Sequence, residues 1–236
     1  MKKFCLFLFV LLTGIIAQAQ KEMVIDANAE ARTLSGSFNA IKVSDGIDLY
    51  ISQSTEEAIA ISATENKYKE GIKTVVEGGT LKIYYFGEST SKNKKLKVYV
   101  SFKNLEKLEA SSASDIYVSG VITVPSLFLQ LSGSSDLKGK VDVNTLKMEL
   151  SGASDVTISG KATTVRIEST GASDVKGYDL VTDVCSAKAS GASDIHITVN
   201  KEIEASASGA SDIYYKGSAI LKDEHSSGAS SISKKG

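Results

Sequence analysis

The sequence predicts an all-β protein in which short strands wind into a parallel β-helix, and three observations support this. A five-residue phrase recurs seven times after residue 110, with 18 to 21 residues between successive copies. Apolar and polar residues alternate on both sides of the phrase, which is typical of strands. The 3.6-residue periodicity of an amphipathic helix is absent from these segments. A fixed period in this range indicates stacked supersecondary units.

The first 19 residues have the pattern of a secretory signal peptide. A cationic start is followed by an apolar run from Phe4 to Ile16, and residues 17–19 (AQA) form a small-x-small cleavage site. A membrane anchor is the alternative, but a spanning helix needs roughly 20 apolar residues. We therefore expect an exported protein that begins at Gln20 and is periplasmic, outer-membrane-associated or extracellular. We expect no transmembrane segment in the mature chain.

The remaining chain divides into a lead-in, residues 20–36, and a single domain over 37–236, because no proline-rich or serine-rich linker interrupts it. Apolar residues alternate over 38–51 around a turn at residues 44–46. The tetrapeptide that begins at Asp48 (DLYI) closely matches those that begin at Asp115 (DIYV) and Asp212 (DIYY). We interpret residues 48–51 as a diverged earlier copy of the repeat.

Residues 72–86 have the pattern of a β-hairpin that turns at Gly78 and Gly79. Residues 87–97 form a polar loop with a cluster of lysines at Lys92, Lys94, Lys95 and Lys97. Such a cluster can bind phosphate or a membrane surface, but a solvated loop is the expected state. Strand alternation resumes at Leu96 and continues to Phe102.

The repeats are clearest over residues 106–236. The phrase occupies 111–115 (SSASD), 132–136 (SGSSD), 151–155 (SGASD), 170–174 (TGASD), 190–194 (SGASD), 208–212 (SGASD) and 227–231 (SGASS). A unit of this length, with short strands and no helix, suits one coil of a parallel β-helix. Leucine-rich repeats and calcium-binding nonapeptide rolls need motifs that this chain lacks. An antiparallel sandwich or barrel remains the alternative.

Stacked coils predict columns of equivalent residues. The recurring glycine of the phrase is expected at a tight bend that a side chain would obstruct. Cys185 falls in an inward column between Val165 and Ile203, so we expect it to be a buried core residue. Small inward residues such as Ala187 and Ala205 predict a filled coil, which argues against a small-molecule or lipid carrier.

These elements resemble the auto-transporter adhesin head GIN domain family, which is common in Bacteroidetes. The resemblance covers roughly residues 37–220. It rests on the signal peptide, the entry from Phe38 to Ile51, the hairpin at 78–83 (GGTLKI) and the SGASD ladder. The resemblance implies a right-handed parallel β-helix located outside the cytoplasm. The family brings no catalytic residues to transfer to this chain.

Composition excludes several classes of protein. The formal net charge of −1 and two arginines do not suit a nucleic-acid binder. Two cysteines cannot form a disulfide framework or a four-ligand zinc site. A hydrophobic fraction of 42% is too high for wholesale disorder. We expect no cofactor and no bound metal.

Catalysis has weak support. His196 and His225 are the only histidines, and no G-x-S-x-G elbow is present. β-helix folds do host carbohydrate-active enzymes, and neighbouring ladder aspartates would lie near the carboxylate separation of retaining glycosidases, about 5 Å. Catalysis, however, needs one pair with unlike environments. We therefore predict no enzymatic activity.

The candidate binding residues form an aspartate ladder along one edge of the coil: Asp115, Asp136, Asp155, Asp174, Asp194 and Asp212. Like charges on neighbouring strands repel, so something must offset them. Local groups are the favoured explanation: serines one and four positions earlier, backbone N–H groups, and Lys138, Lys176 or His196. A bound cation such as calcium is the alternative.

The resulting functional prediction is an exported, non-enzymatic cell-envelope module that acts as an adhesin-like binding or structural scaffold. Its expected partner is an unidentified envelope protein or glycan. A carbohydrate-active β-helix enzyme and a lipid-binding or small-molecule-binding periplasmic protein remain the alternatives.

Overall fold

The computed structural model describes residues 26–87 and 93–236. The predicted signal peptide and cleavage site lie outside the described residues, as does Lys92 of the predicted polar loop. The described chain forms one sheet system of 17 strands and a short helix. In chain order the elements are β1 (Glu30–Arg32), β2 (Ala40–Val43), β3 (Asp48–Gln53), β4 (Ala58–Ser62), α1 (Asn66–Gly71), β5 (Ile72–Glu77), β6 (Thr80–Tyr85), β7 (Lys97–Phe102), β8 (Lys107–Ala110), β9 (Ile116–Ser119), β10 (Ile122–Leu131), β11 (Leu137–Leu150), β12 (Asp155–Ser169), β13 (Asp174–Gly191), β14 (Asp194–Gly209), β15 (Asp212–Lys216), β16 (Ile220–Gly228) and β17 (Ser231–Lys234).

The repeats form a parallel β-solenoid of about seven turns with about 19 residues per turn. Each coil pairs in parallel with the next, as when Leu146 lies opposite Val165 and Val165 opposite Cys185. Parallel pairing through the whole array confirms the β-helix and excludes the antiparallel sandwich or barrel.

Each coil has three straight stretches. The stretch that follows the ladder aspartate, such as 137–140, stacks on 156–159 and forms the aspartate face. The next stretch, such as 141–143, stacks on 160–162 and forms the second face. The stretch that leads into the phrase, such as 145–150, stacks on 164–169 and forms the charged face.

The first half of the chain extends the same faces. β3 lies parallel to β9, with Leu49 opposite Ile116 and Tyr50 opposite Tyr117. Residues 48–51 therefore occupy the position of an earlier coil, as the sequence match predicted. β2 lies parallel to β8 on the charged face, and β6 and β7 lie beyond β2 and β3 respectively.

Antiparallel strands close the N-terminal end of the solenoid. β5 and β6 form the predicted hairpin around Gly78 and Gly79. β4 pairs antiparallel with β7, and β1, in the predicted lead-in, pairs antiparallel with β4. The sequence did not indicate these last two pairings or the helix α1.

Inward side chains from the three faces fill the coil. One column runs Ile41, Leu108, Leu129, Met148, Ile167, Ala187 and Ala205, and every member is at most 3% exposed. Full burial of a large aliphatic side chain contributes about 1.5–3 kcal/mol. Cys185 lies between Val165 and Ile203 as predicted, and its burial raises the pKa of the thiol to about 12.

Candidate functional site

The bend before each ladder aspartate is held by glycine. The recurring glycine has a positive φ of 79° to 85° in the six coils from Gly133 to Gly228. At Gly191, an added Cβ would lie 2.5 Å from the carbonyl oxygen of Gly171 in the preceding coil. That oxygen also accepts a 2.7 Å hydrogen bond from the amide N–H of Ala192. The bend therefore stacks backbone directly on backbone, as the glycine spacing predicted.

The six predicted aspartates do form one column, and the structure adds Asp48 at its N-terminal end. Asp48 precedes Leu49, which pairs with Ile116, so it stands beside Asp115. On its other side, Asp48 lies opposite Lys97 of β7. This aspartate column, from Asp48 to Asp212, runs along the start of the aspartate face.

Backbone amides of the next coil bind these carboxylates. Oδ1 of Asp115 accepts the N–H of Asp136, and Oδ1 of Asp136 accepts the N–H of Asp155. The same bond links Asp174 to Asp194 and Asp194 to Asp212, with nitrogen–oxygen distances of 3.2–3.3 Å. A carboxylate that accepts backbone N–H bonds is stabilised in its charged form. These bonds are the local compensation that the sequence favoured.

Asp155 is the exception within the column. The amide N–H of Asp174 donates to the carbonyl oxygen of Ser154, and Nζ of Lys176 lies 2.8 Å from Oδ2 of Asp155. Lys176 thus neutralises the carboxylate one coil back instead of that of Asp174. Of the other two predicted partners, Lys138 lies beside the groove described below, and His196 packs against the rings of Tyr178 and Tyr214.

The serines before the aspartates form a second, buried column. Ser114, Ser135, Ser154, Ser173, Ser193 and Ser211 each have no exposed surface. The N–H of Ser135 donates to Oγ of Ser154, and the N–H of Ser154 donates to Oγ of Ser173, at 3.3 and 3.2 Å. These hydroxyls therefore bond the backbone, while the adjacent carboxylates bind backbone amides. The prediction that this serine offsets the aspartate charge directly is wrong for this column.

The two ends of the aspartate column differ electrostatically. The pKa of Asp48 is raised, first by burial and then by the neighbouring charge of Asp115. The pKa of Asp115 is also raised by burial, against the lowering effect of the Asp136 amide. At the other end, the Ser231 hydroxyl donates to Oδ1 of Asp212 at 2.7 Å, and this bond is the main reason that the pKa of Asp212 is lowered.

A second outward column lies two residues after the aspartates on the same face. In spatial order, this outer column contains Tyr99, Tyr50, Tyr117, Lys138, Thr157, Lys176, His196 and Tyr214. Its first three rings are stacked, with centroid separations of 5.1 Å for Tyr50–Tyr99 and 5.0 Å for Tyr50–Tyr117. The Tyr99 hydroxyl donates to Oδ2 of Asp26 at 2.8 Å, which anchors the end of the stack.

A groove of about 380 Å³ opens where this tyrosine stack ends. Its apolar part consists of Tyr117, Val118 and Ile158 around Gly139. Its polar part comes from side chains of three successive coils: Lys138, Lys140, Thr157, Ser159 and Asp179. An added Cβ at Gly139 would lie 2.7 Å from Cγ2 of Val118, so this position needs a glycine.

Sequence reasoning missed the tyrosine stack and the groove. Tyr50 and Tyr117 were visible in the matching phrases, but Tyr99 lies in the unrelated strand β7. The available signal for the groove was Gly139, at a strand position that is Val118 in one adjacent coil and Ile158 in the other.

The two histidines lie on different strands and make different contacts. His225 lies on the exposed strand β16, where Nε2 is 3.2 Å from Oδ2 of Asp223. Across residues 26–87 and 93–236, no three His, Cys, Asp or Glu side chains are grouped so as to hold a metal ion. The same residues include no helix with the length and hydropathy of a membrane span.

Comparison with known proteins gives one family and several similar structures. The family model described as "Putative auto-transporter adhesin, head GIN domain" matches residues 37–219. A crystal structure described as a putative adhesin from Bacteroides fragilis is 22% identical, with a TM-score of 0.81, over 88% of this chain and 96% of that one. No curated protein matches the chain.

Two structures from Parabacteroides share the fold at lower identity. A putative adhesin from Parabacteroides merdae is 17% identical, with a TM-score of 0.72, over 89% of this chain and 98% of that one. A putative lipid binding protein from Parabacteroides distasonis is 19% identical, with a TM-score of 0.67, over the same shares of each chain.

Proposed function

The chain belongs to the auto-transporter adhesin head GIN domain family, and on that premise we propose that it is an exported, non-enzymatic module of the cell envelope. It presents the flat faces of a rigid solenoid to a glycan or protein partner. The adhesin-like character follows the family, whereas export and the lack of catalysis are part of the proposal. Export is supported by the sequence pattern of residues 1–19.

The observation that carries the proposal is that most carboxylates of the aspartate column bind backbone amides of the neighbouring coil. Five of its six predicted members accept a backbone N–H from the next coil, the last of them, Asp212, from Ser231. The sixth, Asp155, pairs with Lys176 instead. Five carboxylates therefore make the same kind of bond between coils, and the two predicted members with opposite pKa shifts, Asp115 and Asp212, lie at opposite ends of the column. Glycosidase chemistry needs one carboxyl group as the acid and another as the base or nucleophile, in unlike environments. The column is thus a poor candidate for a carbohydrate-active enzyme.

The inward columns support a scaffold over a carrier. Cys185, Ala187, Ala189, Ala205 and Ala207 are at most 3% exposed and occupy the interior of the C-terminal coils. One structural neighbour is described as lipid binding, but an enclosed lipid site needs a large apolar cavity. Here the inward side chains take up that space. The outward side chains of the faces are what remains available to a partner.

Fractionation and binding to cell envelopes test this proposal. The full chain, expressed in a Bacteroides host, should appear outside the cytoplasm with Gln20 as its first residue on N-terminal sequencing. The purified exported protein should bind isolated envelopes saturably and should release no soluble sugar from envelope polysaccharide. Cytoplasmic retention with residues 1–19 intact would contradict the compartment, and released oligosaccharide would contradict the non-enzymatic assignment.

A further inference from the structure

We propose that the groove beside Tyr117 binds an acidic sugar residue, a pyranose that carries a carboxylate. This inference rests on the proposed function and specifies which part of the aspartate face contacts a glycan. Three features of the groove point to such a ligand: one uncovered face of the Tyr117 ring, the lysines at the rim, and a surrounding backbone that is largely hydrogen-bonded.

Tyr117 offers a flat apolar surface. One face of its ring is covered by Tyr50, at 5.0 Å between centroids and 19° between planes. The other face is turned toward the next coil, where Lys138 follows in the outer column. In the described part of the chain, no further ring or cation is stacked on that face. Tyr117 is 38% exposed and lines the groove.

The size and apolar part of the groove suit a sugar ring. Its volume of about 380 Å³ lies within the range of small-molecule sites, about 300–1,000 Å³. Val118 and Ile158 form the apolar floor of the groove beside Gly139, although Ile158 itself is only 1% exposed. A pyranose has one face made largely of C–H groups, which can lie on such a surface, while its hydroxyls point outward to the rim.

The rim selects for negative charge. Lys138 and Lys140 are exposed and line the groove, and in the described residues neither forms an ion pair within 4.0 Å. Asp179 is the only acid in the lining. A ligand carboxylate would form charge-assisted hydrogen bonds with the two ammonium groups, which are about twice as strong as neutral ones. Asp179 can accept hydrogen bonds from sugar hydroxyls, and Thr157 can donate or accept. Ser159, whose hydroxyl donates to the carbonyl oxygen of Gly139, can accept.

The backbone argues against an extended peptide as the ligand. Peptides that bind to sheets commonly add as a further strand to an unpaired edge. β9 pairs with β3 on one side and, at Ile116 and Tyr117, with β11 on the other, while β11 pairs with β12 along the whole groove. On the β9 side the pairing of β11 is interrupted only at Gly139 and Lys140. Two residues are too few for an added strand, so recognition has to use side chains. A compact ring with a carboxylate and several hydroxyls matches the available groups.

Nuclear magnetic resonance with matched ligands tests the inference. The ¹⁵N-labelled exported protein is titrated with the methyl glycosides of glucuronic acid, galacturonic acid and N-acetylneuraminic acid, to about 20 mM. The neutral reference is methyl glucoside, which differs from methyl glucuronide only at the carboxylate. At least one acidic glycoside should shift the amide signals of Gly139, Thr157 and Ser159, with an affinity about tenfold above that of its neutral counterpart, a factor equal to 1.4 kcal/mol.

Two variants and two controls assign the contacts. Tyr117→Ala should weaken binding of the acidic glycoside about tenfold, since it removes the stacking surface. Lys138→Gln combined with Lys140→Gln should reduce the affinity for the acidic glycoside to that of the neutral one. Tyr214→Ala, in the same outer column, and Lys188→Gln, on the charged face, should leave the affinity unchanged. Equal melting temperatures for wild type and Tyr117→Ala would show that the loss is local.

Several outcomes would overturn the inference. These are no shift in the groove with any acidic glycoside, equal affinity for acidic and neutral sugars, or tighter binding of a capped tri-aspartate peptide at the same amides. The envelope-binding assay separates this inference from the proposed function. Saturable envelope binding that survives Tyr117→Ala would refute the groove alone, whereas wild-type protein that fails to bind envelopes would refute the proposed function itself.

Discussion

Replacement of Gly191 by alanine tests whether close backbone stacking holds the solenoid together. Gly191 has a φ of +85°, and its new Cβ would lie 2.5 Å from the carbonyl oxygen of Gly171. A left-handed backbone costs an L-residue roughly 1–2 kcal/mol. The clash adds to this cost because the Gly171 oxygen is held by the Ala192 amide at 2.7 Å and cannot move away cheaply. We expect a total loss of about 3 kcal/mol.

Gly120→Ala is the matched control for this prediction. Gly120 has nearly the same φ, +82°, but no atom lies within 4 Å of its added Cβ. The free energy of unfolding of Gly120→Ala should therefore fall only by the cost of the left-handed backbone conformation, about 1–2 kcal/mol. In a domain of this size, 1 kcal/mol corresponds to a melting-temperature shift of about 2–4 °C.

Urea unfolding followed by circular dichroism measures both variants, and thermal melts provide a second measurement. Similar slopes against urea concentration would show that the comparison concerns stability and not a change in the unfolded state. Equal losses at the two glycines would refute the reasoning, because the stacked backbone would then contribute nothing beyond the dihedral angle.

Four further predictions concern the aspartate column and the core. Because the pKa of Asp48 is raised by burial and by Asp115, folding favours its protonated form. Asp48→Asn should therefore stabilise the protein at pH 7, and this advantage should shrink as the pH falls toward about 4. The pKa of Asp212 is lowered, chiefly by the Ser231 hydroxyl, so its contribution has the opposite sign: Asp212→Asn should destabilise the protein at pH 7, with the loss fading as the pH falls through the pKa of the folded state. Urea titrations at several pH values measure both, and pH-independent differences would contradict them. The Cys185 thiol, buried with a raised pKa, should react with a thiol reagent only after urea unfolding, and rapid native labelling would show that it is accessible. Calcium at about 1 mM should leave the melting temperatures of wild type and Asp174→Asn equally unchanged, since the Asp174 carboxylate already accepts the Asp194 amide; a rise in wild type alone would identify the column as a metal site.

The repeat phrase was sufficient to predict the solenoid because each coil meets a nearly identical neighbour. Counting back from each ladder aspartate defines the parallel register. Cys185 precedes Asp194 by nine residues, as Val165 precedes Asp174, and this places Cys185 in the interior. The hairpin was equally predictable, since its turn is local and depends on Gly78 and Gly79.

Pairings between unlike segments could not be predicted in this way. Asp48 lies 67 residues before Asp115, well outside the repeat spacing. The matching tetrapeptides marked it as an earlier copy, but only the structure shows that it stands directly beside Asp115. The antiparallel partners of β4 are β7 and β1, and nothing in the short segment Ala58–Ser62 specifies either partner. α1 is too short, at six residues, to show a periodicity.

The candidate groove also depends on residues from separate segments of the chain. Its side chains come from three coils and from the insertion around Asp179, where the register shifts between β12 and β13. None of these residues stands out in the sequence. The groove forms only because the tyrosine stack ends at Tyr117, beside Gly139.

The two hydrogen-bonded columns also point in opposite directions along the solenoid. Aspartate carboxylates accept from the coil that follows, as with Asp115 and Asp136, whereas the serine Oγ accepts from the coil that precedes, as with Ser154 and Ser135. The coil that contains Ser135 and Asp136 is thus both a donor and an acceptor toward each neighbour. Most of these bonds can be made by any coil that carries the same phrase. Such an array can gain or lose a whole unit by internal duplication or deletion without new contacts being invented, so its length can evolve independently of its cross-section.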